Sequence, residues 1–173
     1  MSVRLKLALI AAVCAAPIVL GTLVYWLGWG TGSAGNYGEL IEPRLLSSPE
    51  LAALRGKWVM VTFDAAACDA RCERKLYLVR QTRKAQGADQ DRIERLWVVT
   101  DRAQPSPQLL AAIEGSRVVP ASPGLVSQFP GKPQDHVYLV DPLGNLMLRF
   151  PGDADPPKVI KDLQRLLKYS SMG

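Results

Sequence analysis

The chain has 173 residues, with 21 Lys or Arg against 16 Asp or Glu, a formal net charge of +5. At 48% hydrophobic and 21% charged it is neither a disordered nor a fibrous sequence. Three cysteines are too few for a disulfide-framework miniprotein, and one histidine excludes zinc sites built from several.

Residues 7–29, LALIAAVCAAPIVLGTLVYWLGW, carry no charged side chain. About 20 apolar residues cross a bilayer as a helix, so this stretch reads as a transmembrane anchor in which Pro17 and Gly21 are tolerated. Tyr25, Trp26 and Trp29 cluster at one end, where aromatic rings sit at the headgroups. A cleaved signal peptide has a shorter apolar core and ends in small residues, so the anchor is expected to stay. Arg4 and Lys6 precede it, which places residues 1–6 in the cytoplasm and the remainder in the periplasm of a bacterium, tethered to the inner membrane. Cys14 lies mid-span among Ala and Val, where a packing role is expected. No Lys/Arg cluster is interleaved with aromatics, so nucleic acid is not an expected partner.

Residues 30–46, opening GTGSAGNYG, read as a linker, and residues 47–173 as the exported domain. SSPELAALRG predicts a short helix with Ser48 as N-cap, Pro49 at the first position and Gly56 as its stop. KWVMVTF (57–63) is a strand. A charged helix follows over residues 69–86, with Leu76, Val79 and Thr82 or Arg83 along one face and Gly87 at its end. RLWVVTD (95–101) is nearly all apolar, as a strand buried on both faces should be. Pro105 and Pro107 open a helix, PQLLAAIEG, whereas residues 115–135 hold no firm element. HVYLVD and LMLRF form a hairpin about the turn at residues 141–145. Asp155 caps a last helix whose apolar face is Val159, Ile160, Leu163, Leu166 and Leu167. The order predicts an α/β, thioredoxin-like domain: a central mixed sheet flanked by helices, preceded by one transmembrane helix.

Cys68 and Cys72 lie between the first strand and the charged helix, near a helix N-terminus that favours thiolates, with Arg71 and Arg74 adding positive charge. Residues at i and i+4 of a regular helix have Cβ atoms ~5–6 Å apart. An unstrained disulfide needs ~3.5–4.5 Å, so a bridge requires a loosened first turn. Two converging thiolates would hold copper(I) without that distortion. A plain structural disulfide, or two core cysteines, is the alternative. Asp64 reads either as a proton-transfer group or as an ordinary acidic turn residue.

The run TF-x4-C-x3-C after a strand, then LWVVTD before a proline-rich helix start, then HVYLVDPLGN, resembles the SCO/SenC family. These are membrane-anchored thioredoxin-fold proteins that help metallate the binuclear copper site of cytochrome c oxidase subunit II. The resemblance covers roughly residues 57–150. It implies that Cys68 and Cys72 are a redox-active, copper-binding pair, that His136 is the third ligand, and that subunit II or another copper-assembly factor is the partner. The family carries a proline after each cysteine where this chain has Asp69 and Glu73, and its histidine place falls on Pro133 rather than His136. An odd displacement along a strand reverses the face a side chain occupies. Pro120, Pro123, Pro130 and Pro133 are candidates for the cis-proline of thioredoxin folds.

The residues and the resemblance together predict an assembly factor that delivers copper(I) or reduces acceptor cysteines, the second being an enzymatic thiol–disulfide exchange. The alternatives are a general membrane-tethered thiol–disulfide oxidoreductase without metal, and a non-catalytic interaction module.

Overall fold

The computed structural model describes residues 2–27 and 35–172; Trp29 of the predicted aromatic cluster and residues 30–34 of the predicted linker lie outside them. The chain divides into two compact units, residues 1–36 and 37–173. In the first, α1 (Val3–Trp26) is continuous through Pro17. The Thr22 hydroxyl is within reach of the carbonyls of Ile18 and Val19, 3.0 and 2.9 Å away. A polar side chain satisfied by its own helix suits an apolar surrounding. This is the one helix among the described residues long and apolar enough to cross a membrane.

The second unit runs β1 (Glu39–Leu45), α2 (Pro49–Ala52), β2 (Trp58–Asp64), α3 (Ala70–Lys84), β3 (Ile93–Val99), α4 (Pro107–Ala112), β4 (Arg117–Pro120), α5 (Pro123–Val126), β5 (His136–Val140), β6 (Asn145–Pro151) and α6 (Pro156–Tyr169). One six-stranded sheet has the order β1-β6-β5-β2-β3-β4. β2, β3 and β4 are parallel, while β5 and β6 form the hairpin and run antiparallel to their neighbours. This is the predicted mixed, thioredoxin-like sheet. β2 is buried at every position because both of its faces are covered.

Val59, Val61, Phe63, Leu96, Val98, Tyr138 and Val140 face the α2 and α5 side. Met60, Ile93, Val137 and Leu139 face α3 and α6, where Val79, Val159 and Leu163 close the second layer. The buried α3 stripe takes Thr82 and leaves Arg83 partly exposed, which settles that alternative.

Two stretches differ from expectation. Glu39–Leu45, read as linker, is a strand paired with β6, and Glu39 faces Arg149 in a two-pronged ion pair at 2.7 and 2.8 Å. β1 was masked by Pro43 and by its position at the sheet edge, where almost no side chain is buried and no alternation arises. Within residues 115–135, read as irregular, β4 extends the parallel edge and α5 packs Leu125 into the core. Asp155 stands at the start of α6 but makes no side-chain cap; its carboxylate pairs with Lys158 at 3.6 Å.

Entry into β1 is fixed by α6. The backbone N–H groups of Tyr37 and Gly38 both donate to Asp162 Oδ2 at 2.8 Å, and Asp162 is buried. Gly38 must lack a side chain, since a Cβ there would stand 2.5 Å from Leu148 Cδ2 and 2.6 Å from Phe150 Cε1. Asp162→Ala leaves two N–H groups without an acceptor and is expected to lower stability by about 3 kcal/mol in urea unfolding of the full chain. Asp162→Asn, which keeps one acceptor oxygen, should lose less.

Candidate functional site

The central strand β2 delivers the chain to a five-residue turn at its C-terminal end, Ala65 to Asp69, and α3 starts immediately after. Asp101 holds this turn from the next loop: its Oδ1 accepts from Ala66 N–H at 3.1 Å and from Ala103 N–H at 3.3 Å. The Cys68 N–H donates to the Ala65 carbonyl at 3.0 Å.

Cys68 and Cys72 are joined by a disulfide with Cα atoms 5.1 Å apart. The predicted loosening of the first helical turn takes a specific form, in that Cys68 lies outside the helix altogether. Its φ of +43° is in the left-handed region, which costs a non-glycine residue about 1 kcal/mol or more. Asp69 then caps α3, its Oδ1 accepting from Arg71 N–H at 3.0 Å and Cys72 N–H at 2.9 Å. The Cys72 amide, and after it the Arg71 amide, hold the Asp69 carboxyl below the usual aspartate range. Where the family carries proline, this chain thus has an anionic cap. Cys68 is 7% exposed and Cys72 1%, both packed with Ala66, Leu76, Trp97, Val99 and Ile113.

Beneath the turn lies an ion pair absent from the sequence reading. Lys75, three positions after Cys72, has no exposed surface, and its Nζ meets Asp64 Oδ1 at 2.8 Å. Lys75 Nζ also donates to the Phe63 carbonyl at 3.2 Å and to the Gln134 carbonyl. Burial pushes the Asp64 carboxyl above its ordinary range and the Lys75 ammonium pulls it partway back. Asp64 Oδ2 has no hydrogen-bond partner among the described residues. Asp64 is therefore a buried carboxyl at the end of β2, paired with Lys75, rather than the ordinary acidic turn residue of the simpler reading. A lysine on the same stripe as Val79 and Thr82 was the available signal for this pair.

His136 is not with the cysteines. It starts β5 with the orientation of Tyr138, whose ring lies 5.8 Å from it and belongs to the α2/α5 side of the sheet. Its Nδ1 is 3.0 Å from the Lys132 carbonyl. The cysteines pack with Trp97 and Val99 on the α3 side. Pro133–Asp135 forms a single helical turn and the strand begins at His136, so the alternation within β5, which His136 shares with Tyr138, sets the imidazole on the α2/α5 side. The turn Pro133–Asp135, which holds the family's histidine place at Pro133, does approach α3, but there it brings the Gln134 carbonyl to Lys75 and Asp135 to Arg71 at 3.1 Å. Among the described residues no three His, Cys, Asp or Glu side chains gather as a metal-binding group. The trigonal Cys68, Cys72, His136 set is thus not assembled in this structure; of the three predicted ligands, Cys68 and Cys72 are the two brought together. No described peptide bond is cis, so none of the four candidate prolines takes that role. Cys14 is exposed on α1 and remote in sequence from the pair.

Residues 58–170 match the family described as transmembrane-like, thioredoxin-like, C-terminal domain. Comparison with curated proteins gives no sequence match. Among solved structures the chain is similar to copper-bound ScoI of Bradyrhizobium japonicum, at 20% identity over 66% of this chain and 88% of that one, with a TM-score of 0.52. An apo Sco1 protein from Thermus thermophilus gives 21% identity, 76% and 96% coverage and a TM-score of 0.55. Copper-bound yeast Sco1 gives 17%, 69% and 84%, and 0.57. At these identities the likeness is one of fold.

Proposed function

Because the chain belongs to the transmembrane-like, thioredoxin-like C-terminal domain family, we propose that it is a membrane-anchored dithiol protein that exchanges disulfides through Cys68 and Cys72. The observation that carries this reading is the closed Cys68–Cys72 pair at the end of β2, with the lone histidine on the other face of the sheet. In the reducing direction the Cys68 thiolate, the more exposed of the two, attacks one sulfur of an acceptor disulfide. The acceptor's other sulfur leaves as a thiolate and takes a proton from solvent. Cys72, deprotonated, then attacks Cys68 Sγ, releasing the second acceptor thiolate and closing the bridge. Two electrons pass to the acceptor, and the pair is restored by an external thiol reductant.

The Sco-like fold and the family resemblance support a setting in assembly of the copper centre of cytochrome c oxidase, with subunit II or another copper-assembly factor as the proposed acceptor. Residues 7–29 would anchor the chain in a bacterial inner membrane, and Arg4 and Lys6 favour a cytoplasmic N-terminus, a linker over residues 30–46 and a periplasmic domain over 47–173. Copper(I) delivery is the second reading. It is favoured by two thiols that converge and by the fold likeness to copper-bound ScoI and Sco1. In that case copper is cargo held by the two thiolates.

The full chain in neutral detergent, reduced and mixed with a disulfide-bonded acceptor peptide, tests the proposal. Cys68→Ser and Cys72→Ser are each expected to lose exchange by about 100-fold or more, Cys72→Ser trapping a mixed disulfide, while His136→Ala stays within about twofold. A pair that does not exchange with a thiol buffer would overturn the proposal. Copper(I) bound more weakly in His136→Ala would replace it with three-ligand copper delivery.

A further inference from the structure

A cavity of about 300 Å³ opens beside the last turns of α3, away from the disulfide loop, lined by Arg80, Arg83, Lys84, Arg95, Glu114 and Gly115. We propose that this cavity binds the phosphate group of an anionic ligand. Arg95, on β3, is 4% exposed. Its Nη2 donates to the Glu114 carbonyl at 2.6 Å, but Nε and Nη1 have no hydrogen-bond partner among the described residues. A guanidinium stays charged, and one buried in the cavity wall with donors unmet is costly, so an anion in the cavity would offset a charge that no carboxylate among the described residues neutralises.

The neighbours increase the demand. Burial, and after it repulsion from Arg83 and Arg80, holds the Arg95 pKa below the usual arginine value. Arg83 is partly engaged, donating from Nε to the Ile93 carbonyl at 2.8 Å and from Nη2 to Asp91 at 3.1 Å. Among the described residues Arg80 and Lys84 have no ion-pair partner. Glu114 is the acidic residue in the lining, and Glu94, the strand neighbour of Arg95, attracts it weakly, so the cavity remains net positive. Arg83 and Lys84 suit the negative end of the α3 dipole; Arg80 and Arg95 have no such explanation. Gly115, at φ +78°, keeps the space open, since a Cβ there would lie 3.0 Å from Arg95 Nη2. Arginine forks match the spacing of phosphate oxygens, and several around one concavity provide both geometry and charge.

The test uses the full chain in neutral detergent, titrated with inorganic phosphate against chloride at equal ionic strength. Phosphate is expected to raise the unfolding temperature and to slow amide exchange at residues 80–84 and 114–115. Arg80→Gln and Lys84→Gln should each weaken phosphate about fivefold, leaving the phosphate-free unfolding temperature unchanged. These exposed or half-exposed positions keep the test valid even where Arg95→Met fails to fold. Two sources of phosphate are separated by nanodiscs without added phosphate. Protection in discs containing phosphatidic acid but not in pure phosphatidylcholine assigns a lipid headgroup; protection by inorganic phosphate alone assigns a soluble ligand. No protection in either arm, equal protection by acetate, or undiminished binding in Arg80→Gln/Lys84→Gln overturns the proposal.

Discussion

Lys75→Met is expected to destabilise the folded domain by about 3–5 kcal/mol at neutral pH, far more than the loss of a surface charge. The substitution fits the volume of the lysine stem but leaves Asp64 charged and unpaired under the cysteine loop, and takes a donor from the Phe63 and Gln134 carbonyls. The pH dependence identifies the cause. In the wild type Asp64 already has a raised carboxyl, so the folded chain binds its proton more tightly than the unfolded chain does. That contribution to stability is full below the ordinary aspartate pKa and is lost as pH rises through the raised value. Without Lys75 the carboxyl rises further and the loss extends to higher pH. Urea unfolding from pH 4 to 8 should show the variant nearing the wild type at the acid end. A Lys75→Met chain within about 1 kcal/mol of wild type across that range would remove the pair from the account of stability.

Asp69→Ala is expected to make the cysteine pair a stronger oxidant. In the reduced protein the first amides of α3 are the groups that would stabilise a thiolate on Cys68, and the Asp69 carboxylate occupies those of Arg71 and Cys72. Its negative charge also opposes a second anion beside it. Removing both effects should favour the Cys68 thiolate about tenfold and, at a pH where that thiol is ionised, shift the dithiol–disulfide equilibrium toward the dithiol by the same factor, roughly 30 mV for a two-electron couple. Asp69→Asn retains a cap and removes only the charge, so it should fall between the two. Thiolate absorbance against pH and equilibration with glutathione read these changes. Unaltered thiol titration in both variants would show that the cap does not tune the pair.

The parts of the fold legible in the sequence were those where burial imposes a pattern. β2 and β3 read as apolar runs, the β5–β6 hairpin as strands about a turn, and α6 as a stripe ending in Leu166 and Leu167. β1 and β4 were not legible, because at a sheet edge the side chains stay exposed and proline is tolerated. In the site, the cysteine spacing correctly pointed to a distorted start of α3, but not to the left-handed backbone that produces it. The displacement of His136 from the family's histidine place left its ligand role open in the sequence; its face follows from β5 beginning at His136, with Tyr138 on the same side. Lys75 was hidden because a lysine in a helix rich in Arg and Lys reads as solvated; only the partner Asp64, distant in sequence, makes it a buried residue.

Pro43 within β1 and Pro120 at the end of β4 put a residue without an N–H on each outer strand of the sheet, and the register of β1 also shifts between Leu40 and Arg44. Copies of a protein anchored in one membrane meet each other in two dimensions, at local concentrations well above those of free diffusion. A sheet with interrupted donors on both borders offers no continuous template for a neighbouring chain. In the membrane-anchored setting proposed above, neither border of the sheet would then draw neighbouring copies into strand-to-strand association.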